Sequence, residues 1–95
     1  MPSTVKLAGG RTVEFESESD VLLFMGATLT YQQFALVYQQ ARGKTPPLKL
    51  YRENHSPEAR VQFLNLAART LTSDGQYLID VLPGDFRAEW ERISR

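Results

Sequence analysis

The stretch from Val21 to Ala41 limits the fold more than any other part of the chain. Its twenty-one residues include no charged side chain, although 23% of all residues are charged. Such a segment has to be buried, inserted in a membrane or bound to a partner. Its length suits a membrane span, but four glutamines and two threonines would carry polar groups into hydrocarbon, where unsatisfied groups are costly. We therefore expect this segment to contribute to the core of a folded domain.

Length and composition indicate one globular domain over residues 1–95. A chain of 95 residues with 42% hydrophobic residues can build a single core and is not typical of disorder. Zero net charge argues against a constitutive nucleic-acid binder and favours association with proteins, including self-association. The chain has no cysteine and its first residues lack a signal-peptide pattern, so no disulfide is possible and we expect a cytoplasmic location.

Residues 4–16 predict a β-hairpin that turns at a Gly-Gly-Arg sequence. A three-residue loop pairs Val5 with Phe15 and Leu7 with Val13, which places the apolar side chains of both strands on one face. A two-residue Gly-Gly loop would mix apolar and polar side chains on both faces. The three-residue loop is therefore the predicted connection.

Four sequence patterns are typical of helix amino termini, where Ser, Thr and Asp side chains accept hydrogen bonds from unpaired N–H groups. Gly26 is expected to interrupt the first helix, and Gly43 is expected to end the second, which covers residues 31–42. The patterns place the helix starts at Ser17 or Ser19, at Thr30 with Gln33 completing a capping box, at Ser56 before Pro57, and at Asp85.

Two later segments are predicted as strands, residues 48–52 by their alternation and residues 77–82 by their apolar run. The predicted order is then β-β-α-α-β-α-β-α. This is an α+β domain, with the hairpin and one or two further strands covered by three to four helices. Its first half, with a hairpin, a helix, a Pro46-Pro47 turn and a strand, resembles the β-grasp arrangement.

No catalytic, metal-binding or nucleotide-binding motif is present in the sequence. His55 is the single histidine and has neither Ser-His-Asp order nor His-x₃-His spacing around it, so we expect an exposed loop residue. The acidic residues from Glu14 to Asp20 lack the spacing of a calcium loop. The sequence therefore predicts a protein that is not an enzyme and that needs no cofactor or metal.

The helix predicted over residues 31–42 offers the first candidate contact surface. Its aromatic side chains share one arc with Val37 and two alanines, and we expect this arc to be buried. The opposite arc holds the glutamines with Leu36 in its middle and carries no charge. Solvated helix faces usually carry Lys and Glu, so this surface is unusual. The first hypothesis is a small interaction or regulatory module that binds a protein partner or itself. The contact would use this uncharged face or an aromatic surface around Tyr38, Tyr51 and Trp90. The candidate partner-binding residues are Gln32, Gln33, Leu36, Gln39, Gln40 and Tyr51.

The charge distribution leaves a second hypothesis. Residues 42–69 hold six basic and two acidic side chains, a net charge of +4, although the whole chain is neutral. Basic side chains bind phosphates, and glutamine can read adenine edges. A small DNA-binding regulator is thus the alternative function, unless these charges merely offset the acidic segments in the fold or in a dimer. The candidate nucleic-acid-binding residues are Arg42, Lys44, Lys49 and Arg52.

Overall fold

Six α-helices and one two-stranded antiparallel sheet form a helix-rich α+β domain in residues 3–94, the part of the chain that this computed structural model describes. The predicted domain also includes residues 1, 2 and 95, which lie outside this part. The strands are β1 (Ser3–Lys6) and β2 (Thr12–Phe15); the helices are α1 (Glu18–Thr28), α2 (Tyr31–Arg42), α3 (Leu48–Asn54), α4 (Pro57–Arg69), α5 (Leu78–Val81) and α6 (Gly84–Ile93).

The hairpin is confirmed, but its predicted register is wrong by two residues. Val5 pairs with Val13 instead of Phe15. Leu7 belongs to a longer loop, which contains a short 3₁₀ turn and is closed by the Leu7 N–H donating to the Arg11 carbonyl at 2.8 Å. Gly9 and Gly10 both have positive φ angles, which glycine adopts without strain. The connection between the strands is therefore residues 7–11 and not the predicted three residues. A shift of two residues leaves every side chain on its expected face.

Strand β2 is tied to the turn that follows α4. The Ser73 N–H donates to the Thr12 carbonyl at 2.8 Å, and the Thr12 N–H donates to Ser73 Oγ at 3.0 Å. Val13 also forms an isolated bridge with Thr72. The hairpin is thereby fixed to the second half of the chain.

Helix caps are largely where the sequence predicts them. Ser17 Oγ accepts from the Asp20 N–H at 3.3 Å, and α1 then continues through Gly26 instead of being interrupted there. The capping box of α2 is complete, and Gly43 ends that helix in the left-handed conformation. Ser56 caps α4. The predicted cap at Asp85 is wrong, because the N-cap position of α6 is Pro83, two residues earlier, and it has no side-chain cap.

Neither of the two later strands forms. Residues 48–52 belong to α3, and most of residues 77–82 belong to α5, with Tyr77 forming only an isolated bridge to Leu71. The β-grasp resemblance fails for the same reason, because the described sheet has two strands and no third strand beside the hairpin. Leu50 and Tyr51 are adjacent in sequence and both pack against the core, which fits a helix and not an alternating strand.

The core lies between α1, α4 and the inner face of the hairpin. A chain of tilted and edge-to-face aromatic contacts runs through it, from Phe15 to Phe24, from Phe24 to Phe63 and from Phe63 to Phe86, with ring centroids 5.5 to 6.0 Å apart. Only part of the uncharged stretch is buried there, because α2 lies at the edge of the domain. None of the helices in residues 3–94 is both long and apolar enough to cross a bilayer.

Candidate protein-binding surface on helix α2

Helix α2 is held to the domain by a narrow stripe of aromatic side chains. Phe34 is fully buried, and its ring meets Tyr51 of α3 edge to face with centroids 5.2 Å apart. Tyr31 contacts the same tyrosine at 5.5 Å, and Tyr38 stacks on Phe34 at 6.2 Å. Both of these flanking tyrosines are only partly buried. Because a single α2 side chain is fully enclosed, most of the helix circumference faces outward.

The outward surface of α2 is broader and more apolar than the sequence pattern indicates. Leu36 is 58% exposed, as expected, but Val37 is also 43% exposed although the pattern places it on the buried arc. The four glutamines are exposed as well, and the segment from Tyr31 to Ala41 contains no charge. We call this surface the α2 face, and it consists of Gln32, Gln33, Leu36, Val37, Gln39 and Gln40.

Within residues 3–94, Gln33 is the one glutamine of the α2 face whose side chain makes a hydrogen bond. Its Oε1 accepts a hydrogen bond from the Thr30 N–H at 3.0 Å, and its own N–H donates to Thr30 Oγ1 at 3.2 Å. The amide oxygen is thus occupied, while the amide NH₂ group remains available to a partner. The face therefore begins at a well-defined helix end.

Tyr51, the remaining candidate for partner binding, lies beneath α2 and not on the α2 face. Its hydroxyl donates to the Leu29 carbonyl at 2.9 Å, and its ring is enclosed by aromatic rings from α2 and by the stacked imidazole of His55 at 5.0 Å. These contacts connect α3 to the loop before α2. Tyr51 therefore packs against the inner side of α2 and holds the helix in place, and it is not part of the α2 face.

His55 borders a cleft of about 260 Å³ between α1 and the start of α4. Its Nδ1 lies 2.7 Å from the Gly26 carbonyl, which can only accept, so Nδ1 carries the proton. The Arg60 guanidinium at the same cleft is held by Glu89 at 2.8 Å, and the Ser56 hydroxyl caps α4. The Arg60 guanidinium, the Ser56 hydroxyl and His55 Nδ1 are thus engaged in bonds within the fold. Among residues 3–94 no cluster of His, Asp and Glu has the composition of a metal site.

The four candidate nucleic-acid-binding residues are exposed at the carboxyl end of α2 and along α3. Arg42 pairs with Glu18, and its guanidinium lies over the Tyr38 ring at 4.8 Å. Lys49 is 3.9 Å from a carboxylate one turn further along α3. Lys44 and Arg52 have no ion pair among residues 3–94. Half of this positive charge is therefore already opposed by carboxylates of the same chain.

No known protein family, characterised protein or solved structure matches this chain. The chemistry of the α2 face is accordingly the main guide to function. It is a helical surface with two neighbouring exposed aliphatic side chains, ringed by amides and free of charge. Depletion of charge is the compositional feature of buried interface centres.

Proposed function

We propose that this protein is a small non-catalytic interaction module that binds a protein partner through the α2 face. One observation carries the proposal: Leu36 and Val37, 58% and 43% exposed, lie next to each other on a helix surface without a charged residue. A helix that only faces solvent commonly carries Lys and Glu there. Contact with a partner removes this aliphatic surface from water, and the surrounding glutamines satisfy polar groups at its rim.

The way α2 is held supports binding with little reorganisation. Its amino end is closed by the capping box of Thr30 and Gln33, its carboxyl end by the left-handed Gly43, and its inner side by Phe34. A surface that is already ordered loses little conformational entropy when a partner binds. Because Phe34 is the only fully buried side chain of α2, the outer face of the helix remains accessible to a partner.

DNA binding is the second candidate function. Lys44, in the segment after α2, and Arg52, on α3, are exposed cations that could contact phosphates. However, recognition helices dock through their amino-terminal residues, whereas the only cation of α2 is Arg42 at its far end, which is engaged with Glu18. Protein binding accounts for the uncharged face better than DNA binding does.

Affinity capture from a native lysate tests the protein-binding proposal with three forms of the immobilised protein. The wild type and Val61→Glu should retain the same partner, whereas Leu36→Glu should not. Val61 is a matched control because it is equally aliphatic, is 43% exposed, and lies on α4. Retention of the same proteins by all three forms would contradict a role for the α2 face.

A mobility-shift titration with random duplex DNA tests the alternative. If DNA binding is the function, a complex forms at low salt, weakens steeply as salt increases, and is reduced by Lys44→Gln combined with Arg52→Gln. Absence of a shift at low salt would eliminate the DNA alternative and leave the protein-binding proposal in place.

A further inference from the structure

We propose that the cleft between α4, α5 and α6 binds a proline-rich segment of another protein in the polyproline II conformation. The cleft has a volume of about 300 Å³ and shares no residue with the α2 face, so this second binding site does not depend on the first. Three features of the cleft support it: two aromatic side chains, the hydrogen-bonding groups that they leave free, and the apolar surface that continues beyond them.

Two aromatic side chains line the cleft together with Ala68 and Ile79. Tyr77 is 48% exposed, and Trp90 is partly buried. Proline-rich segments dock in grooves lined by aromatic rings. Such a segment already has its bound conformation in solution, so it loses little conformational entropy on binding.

The polar groups of these two aromatic side chains are free. Among residues 3–94, neither the Trp90 indole N–H nor the Tyr77 hydroxyl makes a hydrogen bond, whereas Asp80 and Arg87, the charged residues of the cleft, pair with each other. The indole N–H can only donate, and the hydroxyl can donate as well. These donors suit a ligand that is rich in acceptors.

A proline-rich segment is such a ligand. Its backbone carbonyls make no internal hydrogen bonds, and proline has no N–H group. An extended segment of other composition would bring one backbone N–H per residue, and the Asp80 carboxylate, which could accept from it, is already engaged by Arg87. The free groups of the cleft therefore favour prolines over an ordinary extended segment.

Exposed apolar surface continues from the cleft across the isolated bridge between Leu71 and Tyr77. Backbone hydrogen bonds of 2.7 and 2.8 Å flank this pair, which makes it a non-hydrogen-bonded pair with closely spaced side chains. Leu71 is 53% exposed. A ligand longer than the cleft can pack on Leu71 as well, which favours a segment of chain over a small molecule.

The charge around the cleft favours a basic residue beside the prolines. Arg87 pairs with Asp80 and donates to Glu91 Oε1 at 3.1 Å, so two carboxylates surround one guanidinium. Residues 74–95 as a whole hold five acidic and three basic side chains. An arginine or lysine next to the prolines is attracted by this excess of negative charge.

The proline-rich segment belongs to a different protein. This chain has one Pro-Pro sequence, at residues 46–47, but Pro46 is buried and its carbonyl accepts a hydrogen bond from the Tyr31 hydroxyl at 3.4 Å. A second copy therefore has no free proline segment of this kind to offer.

Intrinsic fluorescence tests the proposal, because Trp90 is the single tryptophan of the chain. The probe is a hexaproline peptide with one amino-terminal arginine, acetylated and amidated, and the control peptide has six alanines in place of the prolines. The hexaproline peptide should change the Trp90 emission saturably, and the alanine peptide should bind at least about tenfold more weakly. Replacing the arginine of the probe with glutamate should weaken binding about 2- to 5-fold.

Two variants at position 77 separate the ring from its hydroxyl. Tyr77→Ala should weaken binding at least about tenfold, as loss of an aromatic anchor does. Tyr77→Phe keeps the ring and loses one hydrogen bond, so it should weaken binding about 2- to 10-fold. Because this side chain is half exposed, both variants should keep the wild-type circular dichroism spectrum. Leu36→Ala, on the α2 face, is the matched control and should bind the peptide as the wild type does.

Three results would overturn the proposal. One is an unchanged Trp90 emission up to the solubility limit of the hexaproline peptide. Another is equal binding of the alanine peptide, since the cleft would then accept any short segment. The third is equal binding by Tyr77→Ala and the wild type, since the peptide would then lie elsewhere. Each of these results leaves the proposed role of the α2 face standing, because lysate capture with Leu36→Glu tests that role separately.

Discussion

Gly26 of α1 lies directly against the backbone carbonyl of Asn54 at the end of α3, with no room for a side chain between them. A β-carbon added at Gly26 would be 2.2 Å from the Asn54 oxygen and 2.6 Å from its carbonyl carbon. His55, the next residue, donates from Nδ1 to the Gly26 carbonyl at 2.7 Å. The two helices therefore approach each other through main-chain atoms, and this contact sets the position of α3 beneath α2.

We expect Gly26→Ala to destabilise the protein. Alanine favours a helix over glycine by about 1 kcal/mol, but the methyl group collides with backbone that cannot rotate away. The net loss in the free energy of unfolding should be about 1–3 kcal/mol, the range for overpacking in a closely packed interior. Urea denaturation monitored by circular dichroism measures it.

Gly84→Ala provides the matched control, because nothing lies within 4 Å of a β-carbon at Gly84 and its backbone is helical. That variant should be as stable as the wild type or slightly more stable. Equal effects of the two substitutions would show that α1 and α3 can separate without loss, contrary to the contact described here.

Tyr51→Phe should lower the free energy of unfolding by about 0.5–1.5 kcal/mol, because it removes the hydroxyl that donates to the Leu29 carbonyl at 2.9 Å. The ring contacts with Phe34 would be retained, so the effect reports the hydrogen bond. Tyr77→Phe is the control, since the Tyr77 hydroxyl makes no hydrogen bond among residues 3–94. Equal denaturation midpoints for Tyr51→Phe and Tyr77→Phe would contradict this role of the Tyr51 hydroxyl.

The Arg60–Glu89 pair should be energetically coupled. The guanidinium donates twice to Glu89 Oε2, at 3.0 and 2.8 Å, and lies 4.3 Å from the Phe86 ring centroid. Both side chains are about 30% exposed, so solvent screens part of the attraction. A double-mutant cycle with Arg60→Leu and Glu89→Gln should give a coupling energy of about 1 kcal/mol.

The exposed Lys49–Glu53 pair, with 3.9 Å between Nζ and Oε1, is the comparison for this cycle. Its coupling should not exceed about 0.5 kcal/mol, the range for pairs one helical turn apart. A coupling in Arg60–Glu89 no larger than in this pair would mean that α6 is held to α4 by apolar contacts alone.

Asp74 should make stability depend on pH in the acid range. Hydrogen bonds from the Thr72 hydroxyl and from Arg11 hold the pKa of Asp74 below its ordinary value of 3.8. The unfolded chain therefore takes up a proton first as the pH falls. The stabilisation is complete above the ordinary pKa and is lost as the pH falls through the lower pKa of the folded state.

The free energy of unfolding of Asp74→Asn, measured against that of the wild type from pH 6 downward, tests this expectation. The variant should be less stable at the upper end, and the difference should shrink below about pH 4. Glu16→Gln, which removes an exposed carboxylate without these contacts, is the control. A difference that stays constant over the whole range would show that the carboxylate of Asp74 is not stabilised in the folded state.

Features that depend on a few neighbouring residues could be predicted from the sequence. The caps at Thr30 and Ser56 and the stop at Gly43 are of this kind, because each depends on hydrogen bonds or backbone conformations within one helical turn. The existence of the hairpin could also be predicted. Its register could not, because placing Leu7 in the strand or in the loop leaves every side chain on the same face.

Features that depend on distant contacts could not be predicted. Residues 48–52 are too few for their periodicity to separate strand from helix, and the choice is made by packing of Leu50 and Tyr51 against the core. The low helix propensity of glycine predicts a break at Gly26, whereas the close approach of Asn54, which leaves room only for glycine, depends on a residue 28 positions away. Both errors concern contacts made by α3.

The candidate site was predictable except for Val37 and the position of Tyr51. The glutamines and Leu36 could be assigned to the outer face from helical periodicity, whereas Val37 could not, because its exposure depends on how few elements pack against α2. Tyr51 is a candidate contact residue from sequence only because aromatic side chains are enriched at interface centres. In a helix that ends against Gly26, its ring points beneath α2 instead.

The bonds between Thr12 and Ser73 join positions that are 61 residues apart, which has a consequence for the order of folding. Closing such a long loop has a large entropic cost, so these bonds should form after the transition state. Ser73→Ala should then accelerate unfolding and leave the folding rate nearly unchanged in stopped-flow measurements. A slower folding rate would place the hairpin in the folding nucleus instead of among the last parts of the chain to dock.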